Sequence, residues 1–200
     1  MAPDVVTPLL RGRFGRPYRY AERTTSTQKM LHAEDPEGAV AVAEEQTEGR
    51  GRLGRKWLAP AYSSVHASVL LMPAVEPARL PQLSLVAGRA VAGAIEVETR
   101  LTSSIKFPND VLINGRKVAG ILAESSEGRV VLGIGVNVNQ TAKQLPERTE
   151  TPPTSLRIET GRELDRAPLL AAILERLESE YTEWLREAQG AADVSGRVLG

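Results

Sequence analysis

Four short apolar segments follow one another between residues 104 and 136, and turn-forming dipeptides separate two pairs of them. The segments are Ser104–Phe107, Val111–Ile113, Lys117–Ser125 and Arg129–Val136. Asn114-Gly115 is a strong signal for a two-residue hairpin turn, because both residue types readily adopt a positive φ angle, and Glu127-Gly128 is a similar pair. Turns this short join antiparallel neighbours. The sequence therefore predicts a run of antiparallel hairpins in this part of the chain.

The other predicted elements are three strands and three helices. The strands are predicted at Tyr18–Glu22, Ala39–Glu45 and His66–Met72. A short helix is predicted at Ser26–Ala33 and longer ones at Leu80–Val97 and Pro168–Ala188, whereas Gln140–Pro153 is expected to be a surface connection. Together these elements predict an α+β fold, in which a mixed, largely antiparallel sheet is backed by helices.

The two long predicted helices are amphipathic, since their apolar residues recur at three- and four-residue steps. The expected buried face of the first helix consists of Leu83, Ala87, Val91, Ala94 and Val97. That of the second helix consists of Leu170, Ile173, Leu174, Leu177, Tyr181, Trp184 and Leu185. Gly190 is the expected stop signal of the second helix, because glycine commonly follows the last helical turn.

The composition limits the chemistry of the chain. Its 200 residues include 25 basic and 25 acidic residues, two histidines and no cysteine. The lack of cysteine excludes disulfides and thiolate chemistry, and two distant histidines disfavour a zinc site. Zero net charge argues against a protein that coats nucleic acid. No signal peptide or membrane-spanning run is present, so a cytoplasmic location and no membrane partner are expected.

The segment Gly49–Arg55 (GRGRLGR) is predicted to be a mobile loop that binds an anion. Its alternating glycines allow the backbone to approach a ligand, and its arginines can donate to phosphate or carboxylate groups. It is neither a Walker A loop nor a dinucleotide fingerprint, because the GK[ST] ending and the G-x-G-x-x-G pattern are missing. A solvated, RG-rich loop that binds RNA is the alternative interpretation.

Three further segments carry ligand-binding side chains, and each also has a purely structural interpretation. Lys106–Asp110 (KFPND) brings a cation, an amide and a carboxylate together, or is an ordinary Pro-Asn-Asp turn. Gly133–Asn139 (GIGVNVN) has glycines that alternate within a strand, which indicates a close packing partner or a β-bulge. Ser26–Gln28, with Gln46, suits a neutral polar group, although serine and threonine are also typical helix caps.

In their order and spacing, these segments resemble the biotin–protein ligase family. The resemblance rests on Ser26–Gln28, Gln46–Trp57 (QTEGRGRLGRKW), Lys106–Glu124 (KFPNDVLINGRKVAGILAE) and Gly133–Asn139. It is strong from Thr24 to Asn139 and extends to about Ala188 by pattern only. It implies the class II synthetase-like fold of biotin and lipoate ligases, with a lead-in at residues 1–23, a catalytic domain at residues 24–190 and a tail at residues 191–200.

The resemblance implies an enzyme that uses Mg²⁺ and ATP to convert biotin to biotinyl-5′-AMP. Biotin then passes to a lysine of a carrier domain, such as that of acetyl-CoA carboxylase. Lys106 and Arg52 are the expected catalytic residues, with Lys106 stabilising charge at the biotin carboxylate and the α-phosphate.

The resemblance also implies which residues bind each substrate. The expected biotin-binding residues are Ser26, Thr27, Gln28, Gln46, Gly49, Arg50, Gly51, Arg52, Lys106 and Gly120. The expected ATP-binding residues are Arg50, Arg52, Arg55, Trp57, Asn109, Asp110 and Asn137. Asp110 is also the candidate metal ligand, for an Mg²⁺ ion held mainly by the phosphates.

The chain departs from the family pattern in several ways. Phe107 replaces the usual tryptophan, and Ala61–His66 (AYSSVH) lacks the usual Gly-Asn pair. The residues before Thr24 are too few for the helix-turn-helix domain of many members, so no DNA partner is expected. The C-terminal β-barrel domain of many members is expected to be absent or truncated. Both a monomer and a homodimer fit the pattern.

Three alternatives compete with this interpretation. A lipoate or octanoate ligase or transferase shares the fold, but the chain lacks the R-R-x-x-G-G-G stretch typical of those enzymes. An RNA-binding module built on Gly49–Arg55 is disfavoured by the zero net charge and by an aromatic content of 4%. An inactive remnant of an enzyme is disfavoured by the intact Lys106 and arginine loop.

Overall fold

A computed structural model of the chain describes residues 1–147 and 149–196, and its central feature is one seven-stranded sheet. The strands are β1 (Tyr18–Thr24), β2 (Val40–Gln46), β3 (Ser64–Leu71), β4 (Ser104–Lys106), β5 (Asp110–Ile113), β6 (Arg116–Ser126) and β7 (Arg129–Asn137). Their order across the sheet is β1-β2-β3-β7-β6-β5-β4. β1 and β2 are parallel, and the remaining neighbours pair antiparallel. The predicted fold class is therefore confirmed.

The helices flank this sheet. The α-helices of the described residues are α1 (Pro3–Val6), α2 (Leu83–Thr99), α3 (Leu156–Thr160) and α4 (Arg166–Gly196). Short 3-10 helices lie at Thr7–Leu9, Thr27–Met30, Arg52–Gly54, Pro77–Gln82 and Ala142–Gln144. Among these described elements, no helix is long and apolar enough to cross a membrane.

The two long helices cover one face of the sheet. β3 is buried along its whole length. Every second residue of this strand, for example Val65 and Val69, packs in the same core cluster as the apolar residues of α2 and α4. Ser68 and His66 point to the opposite face, because side chains alternate along a strand. That second face is covered by loops, and it carries the candidate site.

The hairpin turns and most of the predicted helix faces are confirmed. Asn114-Gly115 and Glu127-Gly128 have positive φ angles at both residues, as the predicted turns require. The predicted apolar face of α4 is buried or partly buried in the core. The prediction for Val97 is wrong, since its side chain is exposed. Val97 lies in the last turn of α2, past Ala94 and Ile95, the last residues of this helix in the core cluster.

Two other predictions about helices require correction. The helix predicted at Ser26–Ala33 is only a 3-10 helix at Thr27–Met30, because the backbone of Leu31 is extended and the next amide, His32 N, donates to the carboxylate of Asp35 at 2.8 Å instead of to a carbonyl of the preceding turn. The predicted stop at Gly190 is also wrong, since α4 continues to Gly196. A single glycine costs a helix only about 1 kcal/mol, and the alanines next to it favour the helix.

The first residues of the chain pack onto the same core. Val6, Leu10 and Phe14 are buried, and Arg13 forms an ion pair with Glu178 of α4, with Nε 3.0 Å from Oε1. The sequence predicted only a lead-in with a short strand here, because these contacts join residues that are far apart in the chain.

Candidate active site

A cavity of about 320 Å³ opens on the sheet face that the long helices leave free. β6 and β7 form its floor. Its walls come from residues 26–28, 50–58 and 106–110, and from a segment that includes Glu150, Thr151 and Pro153. Every residue predicted for the biotin and ATP sites lines this cavity except Gly49. A cavity of this size suits a small organic ligand.

The floor of the cavity is made of glycine backbone, and the indole of Trp57 lies on it. Gly120 and Gly135 face each other in the β6–β7 register. A Cβ atom would lie 2.5 Å from Trp57 Cε2 if added at Gly135 and 2.9 Å from Trp57 Cζ3 if added at Gly120. One at Gly133 would approach the amide of Gln28 to 3.2 Å. The predicted close packing is confirmed, and the pairing of these β7 glycines is regular rather than bulged.

One wall of the cavity consists of neutral polar side chains. Gln46 Oε1 accepts from Thr27 N at 2.8 Å and from Thr27 Oγ1 at 3.1 Å, and Thr27 Oγ1 lies 2.8 Å from Ser68 Oγ. Ser26 is buried but does not cap the 3-10 helix with its side chain. Gln28 Nε2 is buried without a hydrogen-bond partner among the described residues. This wall can therefore donate to a neutral ligand.

The arginine loop forms a small hairpin over the cavity instead of extending into solvent. Gly51 N donates to Arg55 O at 2.7 Å, and Trp57 N donates to Gly49 O at 2.8 Å. A Cβ atom at Gly49 would lie 2.1 Å from Trp57 O, so this position accepts only glycine. Gly49 thus closes the base of the hairpin, although it does not line the cavity.

Two arginines of the hairpin reach across to opposite sides of the cavity. Arg50 Nη2 lies 2.8 Å from Glu124 Oε2 of β6 and donates to Gln28 Oε1 at 3.3 Å. Arg52 Nη1 donates to Asn109 Oδ1 at 3.2 Å. The hairpin is therefore held over the cavity by side chains of the protein itself.

The opposite end of the cavity is rich in cations. Lys106 Nζ donates to Thr151 Oγ1 at 2.8 Å and lies 3.7 Å from Glu150 Oε1. Arg55 Nη1 lies 3.8 Å from the other oxygen of the same carboxylate. In this structure Glu150 is therefore the anion between two of the cations predicted to bind the substrates.

Lys117 adds a further cation that the sequence prediction did not include. Its Nζ lies 2.7 Å from Asp110 Oδ1 and 5.4 Å from the centre of the Trp57 ring. The contact with Asp110 is an ion pair without hydrogen-bond angles, and Oδ1 has no hydrogen-bond partner among the described residues. Regular alternation would put Lys117 and Gly120 on opposite faces of β6, and a register shift in the β5–β6 pairing brings both to the cavity, so the sequence pattern did not indicate Lys117.

The two predicted asparagines are both anchored to the protein. Asn109 Nδ2 donates to Ile121 O at 3.1 Å. Asn137 Nδ2 donates to Thr154 O at 3.0 Å, and Asn137 Oδ1 accepts from Gln140 Nε2 at 3.0 Å. Each amide retains one N–H and further acceptor capacity for a ligand.

The segment between β7 and α3 is more than a surface connection. Gln140 is buried, and residues near Pro153 are fixed to β6, because Lys117 N donates to Pro152 O and Thr154 N donates to Lys117 O, both at 2.8 Å. The sequence did not predict that this segment is fixed to β6. The hydrogen bonds near Pro153 are formed by backbone groups, and residue types do not reveal them.

The stretch in which the chain departs from the family pattern lies beside the cavity. Tyr62 is in the left-handed region, with a φ of 62°, and is exposed. Ser64 Oγ accepts from Gln140 Nε2. His66 is fully buried, and neither ring nitrogen has a hydrogen-bond partner among the described residues. Burial, with a smaller effect from Arg166, lowers the pKa of His66 to about 4.

A family model described as the biotin/lipoate A/B protein ligase family matches residues 20–140. The chain belongs to this family. Among its members, the bifunctional ligase/repressor BirA of Bacillus subtilis is 39% identical over 175 residues, which are 83% of this chain and 54% of the relative. The biotin–[acetyl-CoA-carboxylase] ligase of Mycobacterium tuberculosis is 38% identical over 82% of this chain and 62% of the relative. The resemblance inferred from the motifs is therefore confirmed.

Solved structures of family members share the fold. The biotin protein ligase from Aquifex aeolicus in complex with biotin and ATP superposes with a TM-score of 0.77, at 37% identity, over 84% of this chain and 72% of that one. The Leishmania major enzyme in complex with biotinyl-5-AMP gives a TM-score of 0.71 at 27% identity, over 84% and 76% of the two chains. The chain spans about half the length of the BirA relatives that it matches.

Proposed function

We propose that this chain activates biotin with ATP and transfers it to a lysine of a biotin carboxyl carrier protein. The observation that carries the proposal is that a single cavity joins a neutral hydrogen-bonding wall to a cluster of cations. Biotin has the same two parts, a neutral ureido ring and a carboxylate that must meet the α-phosphate of ATP. The names of the relatives and the ligands of the neighbouring structures support this assignment.

The neutral wall would bind the ureido ring. Thr27 and Gln46 are already fixed by their mutual hydrogen bonds, and Gln28 Nε2 is a free donor for the ureido carbonyl. Ser26 lies in the same wall. Gly120 leaves room on the floor, while Arg50 and Gly51 cover the cavity as part of the hairpin that Gly49 closes. Groups held in place before binding lose little entropy when the ligand arrives.

The cationic end would carry the chemistry. A carboxylate oxygen of biotin attacks the α-phosphorus of ATP, the bond to the bridging oxygen breaks, and pyrophosphate leaves with the electron pair. Lys106 and Arg52 would neutralise the approaching anions, and Arg55 and Lys117 would contact the phosphates. These preorganised charges favour the transition state, in which the attacking carboxylate and the phosphate oxygens are brought together and negative charge develops on the leaving pyrophosphate. Trp57 and Asn137 would adjoin the nucleotide.

The second half-reaction transfers the biotinyl group to the carrier. The amine of a carrier lysine attacks the acyl carbon, the bond to the phosphate oxygen breaks, and AMP leaves. The closed hairpin would keep water away from the mixed anhydride in the meantime.

The residues at the cationic end fit an Mg²⁺ ion held mainly by phosphates. Asp110 offers a carboxylate oxygen that forms an ion pair with Lys117 but has no hydrogen-bond partner among the described residues, and Asn109 offers an amide. Within the described part of the chain no cluster of three acidic or histidine side chains exists, and Mg²⁺ commonly binds through one or two carboxylates plus phosphate oxygens. When bound, the ion neutralises phosphate charge.

Biotin is preferred over lipoate as the substrate because of the neutral wall. The dithiolane ring of lipoate forms no strong hydrogen bonds, so Gln28 Nε2, which has no hydrogen-bond partner among the described residues, would stay unpaired, and unpaired buried polar groups are costly. The proposed partner is the carrier domain of acetyl-CoA carboxylase, and the proposed catalytic domain is residues 24–190. The proposed location is the cytoplasm, with either a monomer or a homodimer as the active species.

The test is to incubate the purified chain with Mg-ATP and either biotin or lipoate, and to detect the acyl-adenylate by mass spectrometry. We expect biotinyl-5′-AMP only, and none from a Lys106→Gln variant. Lipoyl-AMP as the main product would assign the chain to the lipoate branch of the family. The absence of an adenylate with both acids would contradict the proposal for this chain.

A further inference from the structure

We infer that Glu124 is a positioning residue that latches the arginine hairpin (residues 49–57) over the cavity. Glu124 lies near the end of β6, outside the cavity lining. Its carboxylate forms a 2.8 Å ion pair with Arg50 across 74 positions of sequence. The inference rests on the proposed function for its effect on ligands, whereas the latch itself can be tested without any ligand.

The latch also determines how Arg50 acts on Gln28. The same Nη2 atom that contacts Glu124 donates to Gln28 Oε1 at 3.3 Å. Because the oxygen of the Gln28 amide faces the guanidinium, its NH₂ group is directed toward the floor of the cavity, near Gly133. Glu124 therefore acts through Arg50 on the end of the amide that a ligand meets.

The hairpin has few other contacts that keep it closed. Its tip residue Leu53 is 86% exposed, so the tip has little apolar contact with the rest of the protein. Arg52 provides one hydrogen bond, to Asn109, Arg55 lies 3.8 Å from the carboxylate of Glu150, and Trp57 rests on the floor at the base. Glu124 supplies the ion pair on the side of β6, where removal of its carboxylate leaves Arg50 with only the amide of Gln28.

The expected effect is modest, since both partners are partly exposed. The side chains of Arg50 and Glu124 are 51% and 42% exposed, and ion pairs of this kind stabilise a conformation by a factor of about two to five. The closed hairpin should open more often by the same factor when Glu124 is removed.

The first measurement is the rate at which trypsin cuts the ligand-free protein after Arg52, Arg55 or Lys56. We expect Glu124→Ala to speed cleavage roughly two- to five-fold and Glu124→Asp to restore much of the protection. Glu48→Ala is the matched control, since it removes another exposed carboxylate whose 2.9 Å partner, Lys29, lies outside the hairpin. A thermal unfolding curve checks that each variant is folded.

The second measurement is the dissociation rate of biotinyl-5′-AMP from the protein. Glu124→Ala should speed release by the same factor in the wild-type background and have no effect on an Arg50→Ala variant, because the latch acts through Arg50. The inference would be overturned if trypsin cut the hairpin of Glu124→Ala, and the variant released biotinyl-5′-AMP, at the rates of the wild type. The absence of adenylate from the wild-type protein would contradict the proposed function instead, and the cleavage rates would still decide on the latch.

Discussion

Arg52 bridges the hairpin and the turn after β4. Its guanidinium donates to Asn109 and lines the cavity at its cationic end. The sequence predicted Arg52, Lys106 and Asn109 because their motifs place charged and amide groups in short, recognisable segments. It did not predict Lys117 or Glu124, because the role of each depends on a side chain brought close by the sheet register rather than by the local sequence.

Arg52→Gly is expected to permit adenylate formation but to release the intermediate. The variant loses the bridge to Asn109 and the positive charge over the acyl-phosphate, so biotinyl-5′-AMP should diffuse out and react with unrelated lysines. We expect at least about ten-fold more biotin on a bystander protein such as serum albumin, the factor expected for about 1.4 kcal/mol of lost binding. Leu53→Gly, next to it and exposed, is the control. Labelling at the wild-type level in Arg52→Gly would argue against this role.

His66 is expected to make the protein less stable as the pH falls from 6.5 toward 4. Burial lowers the pKa of His66 to about 4 in the folded state, whereas the unfolded state retains a pKa near 6.5. Below pH 6.5 the unfolded chain binds a proton that the folded chain does not, so the free energy of unfolding decreases by about 2 kcal/mol at pH 5.

The measurement is urea unfolding of the wild type and of His66→Gln at pH 7 and pH 5. The decrease between the two pH values should be about 2 kcal/mol smaller in the variant, and His66→Phe serves if the glutamine variant does not fold. His32→Gln, which removes the exposed histidine, should behave as the wild type does. Equal pH dependence in the wild type and both His66 variants would refute the prediction.

At the scale of elements, the glycine floor of β6 and β7 determines where Trp57 lies. The sequence predicted both strands and their close packing partner, because alternating glycines within a strand are a local signal. It could not identify the partner as Trp57, since that contact depends on how the hairpin folds back. The helix predicted at Ser26–Ala33 was too long, because the amide of His32 donates to the side chain of Asp35, a contact that helical periodicity does not reveal.

Gly135→Ala is expected to displace Trp57 and weaken ligand binding without unfolding the protein. The new methyl group would lie 2.5 Å from the indole, so the ring must move away, and binding of biotin and ATP should weaken about ten-fold or more. The free energy of unfolding should change by no more than about 1–2 kcal/mol. Isothermal titration calorimetry measures the weaker ligand binding, and tryptophan fluorescence reports the displacement of Trp57.

Gly190→Ala is the control for this substitution, since no atom of the described residues lies within 4 Å of a Cβ atom at that position. It should leave ligand binding unchanged and stabilise α4 by about 1 kcal/mol. Unchanged fluorescence in Gly135→Ala would show that Trp57 is not displaced, and undiminished binding with altered fluorescence would show that its position on the floor is not needed.

At the scale of the whole molecule, helices stabilise one face of the sheet and loops bind ligand on the other. The sequence predicted the sheet and the two long helices, because each pattern is periodic and local. It did not predict that Val6, Leu10 and Phe14 join the core. Such docking depends on the shape of a surface that exists only after the sheet and α4 have packed.

Because loops cover the face of the sheet that binds ligand, we expect ligands to stabilise the protein by holding these loops closed. Biotin with Mg-ATP at about 100 times the dissociation constant should add about 2.7 kcal/mol. That corresponds to a rise in Tm of roughly 5–10 °C for a chain of this size. Differential scanning fluorimetry measures the shift, with lipoate and Mg-ATP as the control. An equal shift with lipoate would argue against the neutral wall as the source of selectivity.

The bare glycine floor also limits how this protein could be engineered to accept synthetic analogues. Any change at Gly120, Gly133 or Gly135 adds atoms to a surface already in contact with Trp57 or Gln28. Mutant libraries should therefore keep these three codons fixed and vary wall residues such as Leu58 and Phe107, which also line the cavity. Bulkier labels would then be accommodated by trimming the walls, while the strands beneath them stay intact.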